Sequence, residues 1–226
     1  MPSPPRRPTS ATDASTTATQ ILDVAERLAQ TRGFNGFSYA DIATELGITK
    51  AGLHYHFAGK ADLGCALIER YARTFATALA QIEANERAVY AQLQQYVALY
   101  SNVLSDGRMC LCGMLAAEYA TLPDAMKRAI RQFFDDNESW LTRVLDKGRD
   151  AGTVAFEGKA IDAARVLTAA LEGAMLLARS YDDVTRFADA ATHVLREFAP
   201  PSARRASGLT RSPSIRARRR QVRGRA

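Results

Sequence analysis

Apolar residues recur along this chain at intervals of three and four, and no stretch alternates apolar with polar residues as a half-buried strand would. The pattern predicts an all-α protein of about nine helices. Ile21, Ala25, Leu28 and Ala29 mark one face of a first helix that stops at Gly33, a residue suited to a left-handed terminus. Ser38 can cap a short second helix carrying Ile42, Ala43 and Leu46, with Asp41 as its acidic partner three residues on and Gly47 closing it. Thr49 can cap a third, with Leu53 and Phe57 on the buried side. Two longer helices follow, from Asp62 through Leu79 and from Val89 through Leu104, the second ending at Gly107. A shorter apolar piece, Leu111 to Tyr119, precedes Pro123, which suits the first turn of a long helix through Leu145 that Gly148 and Gly152 finish. The last two helices run from Ala160 to about Tyr181 and from Val184 to Phe198.

Composition sets the limits of this helical body. Of the first 19 residues, fifteen are Pro, Ser, Thr or Ala, which predicts a disordered arm over residues 1–16. Pro200-Pro201 stops the last helix, and an Arg-rich disordered tail is expected over residues 200–226. The net charge of +6 belongs to that tail: Arg204 to Ala226 holds nine Arg and no acid, whereas Thr17 to Ala203 has a net charge of −4. The apolar stretch from Val166 to Ala178 is interrupted by Glu172 and bounded by Arg165 and Arg179, so it is too short and too polar for a membrane span. Arg6 and Arg7 are followed by no apolar run, so no export signal is expected. Cys65, Cys110 and Cys112 are an odd set that reads as reduced thiols in a cytoplasmic protein.

Residues 38 to 57 place a short helix, a turn at Gly47 and another short helix within about twenty residues, the spacing of a helix-turn-helix. With Leu53 and Phe57 turned inward, Lys50, Ala51, Gly52, His54, Tyr55 and His56 remain for a DNA major groove. Lys50 can meet guanine or phosphate, the imidazoles base edges or phosphates, and Ala51 with Gly52 a thymine methyl at close approach. Charge adds no support, since residues 17–62 hold Arg27, Arg32, Lys50 and Lys60 against five acids, and the same geometry occurs in proteins that never touch DNA.

Phe34, Ile42, Ala43, Leu46, Gly47, Ile48, Gly52, Leu53, Tyr55, His56, Phe57, Lys60 and Leu63 match, position for position, the amino-terminal signature of the tetracycline-repressor (TetR) family of one-component regulators. The resemblance is detailed over residues 17 to 64. It implies a DNA-binding domain over residues 17–62, in which the helix after Thr49 reads the operator, Tyr55 and Lys60 hold phosphates, and Ser38 caps a helix against the DNA backbone. It also implies an effector-binding and dimerisation domain over residues 63–199, and a homodimer that usually represses from a palindromic double-stranded operator. Two positions depart from the pattern: His54 stands where Tyr is more usual, and the first helix lacks the common leading Arg, leaving Arg6 and Arg7 for a minor-groove contact.

The second half is less explicit. Ala163, Ala164, Ala169, Ala170, Gly173, Ala174, Ala178, Ala188, Ala190 and Ala191 allow the last two helices a close approach, either to the same pair in a second subunit or within the monomer. Tyr96, Tyr100, Cys110, Met114, Glu118, Tyr119, Phe133, Asn137, Trp140 and Met175 are polar or soft groups set in apolar helices, suited to lining a site for a small organic effector and, taken singly, to plain core packing. The stretch from Cys110 to Glu118, with Leu122-Pro123 after it, resembles the sixth-helix start of TetR-family members that sense electrophiles and oxidants, which implies Cys110 as the reactive thiol. A helix starting near residue 110, with Arg108 beside it, would favour the thiolate. Free cysteine is otherwise a buried, inert residue.

The chain shows no phosphate loop, no Glu-x-x-His pair and no nucleophile motif, and two thiols at i and i+2 are too few for a zinc site. Neither catalysis, a cofactor nor a metal is therefore expected. The tail leaves an alternative of another class, a nonspecific nucleic-acid-binding or architectural protein held to phosphates by its nine arginines.

Overall fold

The computed structural model describes residues 11–200, which form nine α-helices and one 3-10 turn. Arg6, Arg7 and the Arg-rich tail lie outside the described residues. Among the described residues no helix is long and apolar enough to cross a membrane.

Helices α1 (Ala11–Arg32), α2 (Tyr39–Leu46) and α3 (Lys50–His56) form a small head. The predicted face of α1 is its buried face: Ile21, Ala25, Leu28 and Ala29 are at most 1% exposed and pack with Phe34, Phe37, Ile42, Ala43 and Leu53. The helix begins at Ala11 rather than after a disordered arm ending at residue 16. Alanines at 11, 14 and 18 are strong helix formers, so a composition too polar to make a core still extends a helix that is anchored further on. Gly33 ends α1 with φ +83°, and a Cβ there would sit 2.0 Å from Glu118 Oε1, so both backbone shape and a neighbour exclude a side chain.

Helix α4 (Lys60–Asn85) leaves the head and becomes part of the larger half, with α5 (Val89–Ser105), α6 (Leu111–Ala117), the 3-10 turn Tyr119–Thr121, α7 (Asp124–Asp150), α8 (Ala160–Ser180) and α9 (Thr185–Arg196). Asp62 is the capping acid of α4, accepting from the Gly59 N–H at 3.0 Å. Helix α7 packs on α4 and α8, α8 packs on α9, and α5 lies against all four. The small residues divide between two uses: Ala164, Ala174, Ala178 and Ala191 are buried within the monomer, whereas Ala169 and Ala188 face outward.

Gly148 does not finish α7 as expected but lies buried inside it, and the chain turns at Gly152 just beyond. A Cβ at Gly148 would come 2.6 Å from Val89 Cγ1 and 2.7 Å from Val154 Cγ2. Glycine there lets the start of α5 and the segment after α7 close on the helix. Gly148→Ala gains up to about 1 kcal/mol of helix propensity but must displace two stiff β-branched side chains, at a cost of about 1–3 kcal/mol. The expected result is a lower urea midpoint at unchanged slope; a raised midpoint would contradict the packing argument.

Candidate functional site

The α2–turn–α3 unit is built by local bonds. The Asp41 carboxylate accepts from the Ser38 N–H at 2.7 Å and hydroxyl at 2.6 Å, and these bonds hold it below the usual carboxylate range. Gly47 turns the chain with φ +64°. Thr49 Oγ1 accepts from the Gly52 N–H at 3.0 Å and so caps α3. Leu53 is fully buried, but Phe57, one residue past the helix on extended backbone, is only half-buried. Lys50, Ala51, His54 and Tyr55 face solvent, Tyr55 at 74% exposure, with Gly52 and the half-buried His56 beside them.

His54 is more constrained than its exposure suggests. Its Nδ1 lies 3.0 Å from the Ala58 carbonyl, which can only accept, so Nδ1 carries a proton and Nε2 is the ring nitrogen left for another partner. Tyr39, which the sequence reading missed, packs its ring 4.8 Å from His54 and donates its hydroxyl to the Phe57 carbonyl at 3.1 Å. Burial, then the charge of Asp62, pushes its phenol up to about 12.

Lys60, expected on a phosphate, points into the protein. Its ammonium donates to the Phe34 carbonyl at 2.5 Å and to the Phe37 carbonyl, and lies 4.7 and 4.4 Å over the rings of the same two residues. Burial lowers its pKa, against the opposing charges of Glu118 and Asp41. Its role here is to fix the 33–37 loop between α1 and α2.

Two residues assigned to an effector site belong instead to the junction between the halves. Glu118 accepts from the N–H and Nδ2 of Asn35, each at 2.9 Å. Met114 lies beside Gly33 and Arg179. Arg179, in the last turn of α8, donates to the carbonyls of Gln30, at 3.0 Å, and Thr31, the last turn of α1. The Met109 N–H reaches the same Gln30 carbonyl at 3.3 Å. Tyr119, on the 3-10 turn, is half-buried and bonded to Arg131 at its hydroxyl, also away from the core.

The other candidates do converge. Tyr71 and Phe75 of α4, Tyr96 and Tyr100 of α5, and Phe133 and Trp140 of α7 form one aromatic cluster with centroids 5.3–6.2 Å apart. The hydroxyls of Tyr96 and Tyr100 share a 3.0 Å hydrogen bond. Asn137 Nδ2 donates to the Phe133 carbonyl at 2.9 Å, which leaves its Oδ1, like Trp140 Nε1, buried without a partner. Met175 is fully buried in α8.

Cys110 precedes α6 and is 2% exposed, its Sγ 3.5 Å from the Gly113 N–H. Burial first, then the charge of Glu172, pushes its thiol well above the usual value. Arg108 does not offset this, because it pairs with Asp106 at 2.6 Å and reaches Gln30 Oε1 at 3.4 Å. The expected reactive thiolate is therefore corrected: in this conformation Cys110 is a buried, protonated thiol. Glu172, noted in the sequence only as a break in an apolar run, is the residue that changes the reading, and Gly113 makes room for it, since a Cβ there would lie 2.2 Å from Glu172 Oε2.

The family model described as bacterial regulatory proteins, tetR family, matches residues 21–66, and the tetracyclin repressor-like C-terminal domain matches residues 86–194. The chain belongs to the tetR family. A tetR-family regulator from Agrobacterium tumefaciens of known crystal structure is 32% identical and superposes with a TM-score of 0.80, covering 82% of this chain and 99% of that one. The HTH-type transcriptional repressor NemR of Escherichia coli K12 is 25% identical over 190 residues, 82% of this chain and 96% of its own. The transcriptional regulator AcuR of Cereibacter sphaeroides is 29% identical over 161 residues, 67% of this chain and 70% of its own. As a tetR-family member the protein is a DNA-binding transcriptional regulator whose reading unit is the α2–α3 pair described above.

Two predictions follow from this geometry. Lys60→Ala should loosen the head and weaken binding to every DNA without flattening the salt dependence, whereas Lys50→Ala should flatten it by about one unit or change base preference. Operator titrations at several KCl concentrations separate the two, and a loss of about one unit of slope in Lys60→Ala would return that lysine to the phosphates. With a bulky thiol reagent at neutral pH, half-buried Cys65 should react before Cys110 and Cys112, as read by peptide mapping. Fast, selective labelling of Cys110 would restore the sensor role.

Proposed function

We propose that the protein is a homodimeric repressor that binds a palindromic operator through two copies of α3 and is released by a small-molecule effector bound among α4, α5, α7 and α8. The observation that carries this reading is the outward set Lys50, Ala51, His54 and Tyr55 on a helix anchored by fully buried Leu53. Lys50, His54 and Tyr55 bring hydrogen-bonding groups to that outward face, and Ala51 a methyl, which match what a major groove offers. The protein acts in the cytoplasm, by binding rather than by catalysis.

Dimerisation through α8 and α9 is supported by the apolar residues these elements leave in water. Val166, Leu176, Leu177, Tyr181 and Val184 are 46–62% exposed. Val166, Gly173 and Leu177 fall at helical spacing, and a Cβ on Gly173 would meet nothing, so a second helix has room to approach there. Paired across a two-fold axis, α8 and α9 of two subunits make a four-helix bundle and set two copies of α3 for half-sites about one DNA turn or more apart. The effector works by binding more tightly to the arrangement that does not fit those half-sites, and a hundredfold preference corresponds to about 2.7 kcal/mol of coupling.

Site selection from random DNA by the purified full chain should return an inverted repeat held about a thousandfold more tightly than bulk DNA. A pool with no common sequence, bound in a steeply salt-dependent way, would instead favour nonspecific binding by the tail. Leu177→Glu should give a folded monomer by sedimentation that loses the inverted repeat; a dimer that keeps it would remove α8 from the interface.

A further inference from the structure

Glu172 is the one acid in the apolar run of α8 from Val166 to Ala178. It lies on the same stripe as buried Thr168 and Met175, and its Oε1 is buried without a hydrogen-bond partner. The groups that act on it and on which it acts are Tyr71 from α4, Tyr96 and Tyr100 from α5, and the thiols Cys110 and Cys112, none of them a cation. From α7, Asn137 and Trp140 add an unpartnered buried acceptor and an unpartnered donor on one helix face. A buried carboxylate with a free oxygen and no counter-ion is costly unless it holds a proton or meets a positive group. Aromatic faces and phenol oxygens around it are the surroundings a desolvated organic cation prefers.

We propose that Glu172 is the anchor of the effector site and that the effector is a small organic cation with N–H donors, an aryl- or alkylammonium. Its ammonium would donate to Glu172 Oε1, its apolar part would lie among the rings of Tyr96 and Trp140, and Asn137 Oδ1 would be a second acceptor. The inference rests on the effector-responsive reading above and names the ligand class. Tyr96, Tyr100 and Trp140 are at most 4% exposed, so a ligand reaching the carboxylate has to part the stack of Tyr96 on Trp140, which moves α5 against α7. Glu172 also abuts Gly113 in the first turn of α6, and Arg179, two turns further along α8, grips the end of α1. Occupancy is thereby tied to the two elements that hold the head. Without a ligand, burial pushes the Glu172 carboxyl up to about 7, against a hydrogen bond from the Cys110 thiol that lowers it, so near neutral pH the proton is the competitor.

Trp140 is the only tryptophan and reports on the site directly. The test is titration of its emission in the full-length protein with phenethylamine, against uncharged 2-phenylethanol and anionic phenylacetate. The amine is expected to give a saturable change at least about tenfold tighter than the other two, a preference that Glu172→Gln abolishes while its far-UV circular dichroism is kept. In the wild type, amine affinity should fall about tenfold per pH unit below 7 and level off above it, and the Gln variant should be flat. No saturable response to the amine, equal binding of the alcohol, or undiminished binding to Glu172→Gln would overturn the proposal. Because the readout contains no DNA, failure of the regulator reading would show separately, as absence of a selected operator.

Discussion

The carbonyl groups at the end of α1 are satisfied from the far half of the molecule, and the relation between the two halves depends on those bonds. A helix leaves its last four carbonyls without internal donors. Here Gln30 receives Arg179 and the Met109 N–H, Thr31 receives Arg179, and the loop after Gly33 is tied to α6 by Asn35 and Glu118. Arg179 also places a cation at the negative end of the helix macrodipole. Charge-assisted bonds of this kind are worth about 1–3 kcal/mol each, toward the low end where the guanidinium is exposed as it is here. Two of them make a sum comparable with the roughly 2.7 kcal/mol of a hundredfold response. The junction is strong enough to carry a signal and weak enough to be rearranged by a ligand.

That balance gives the packing of the larger half its meaning. The aromatic cluster is contributed by α4, α5 and α7, and α8 adds buried Thr168 and Met175, with the charge of Glu172 acting on Tyr96 and Tyr100. Two of these helices lead straight to the head, α4 by continuing from it and α8 by way of Arg179. A core made only of aliphatic residues would be more stable, because an unpaired buried carboxylate always carries a desolvation cost. Glu172 is best understood as a place where stability is given up for the ability to respond.

The head was largely legible in the sequence because its signals are local. Ser38 with Asp41, Gly47, and Thr49 with Gly52 are contacts within three residues, and the structure has them where the spacing puts them. The placements that differ from the sequence reading are those fixed by tertiary approach. Lys60 looks like a phosphate ligand until the 33–37 loop folds over it and offers two carbonyls. Glu118 and Met114 look like pocket residues until α6 stops after seven residues at Ala117 and turns them toward α1. Glu172 and Arg179 were visible as charges in an apolar stretch, and their spacing of seven, two helical turns, was the available clue that they share a face. What each one meets depends on how α8 lies against α6 and α1, and no periodicity within α8 contains that.

The thiol and the carboxylate in this core make opposing demands. Burial first and then the charge of Glu172 keep Cys110 protonated, whereas the Cys110 thiol, as a hydrogen-bond donor, favours the charge of Glu172. A cation seated between them would reverse the sign of that effect, because a positive charge lowers the pKa of both groups and supplies the compensation that burial removes.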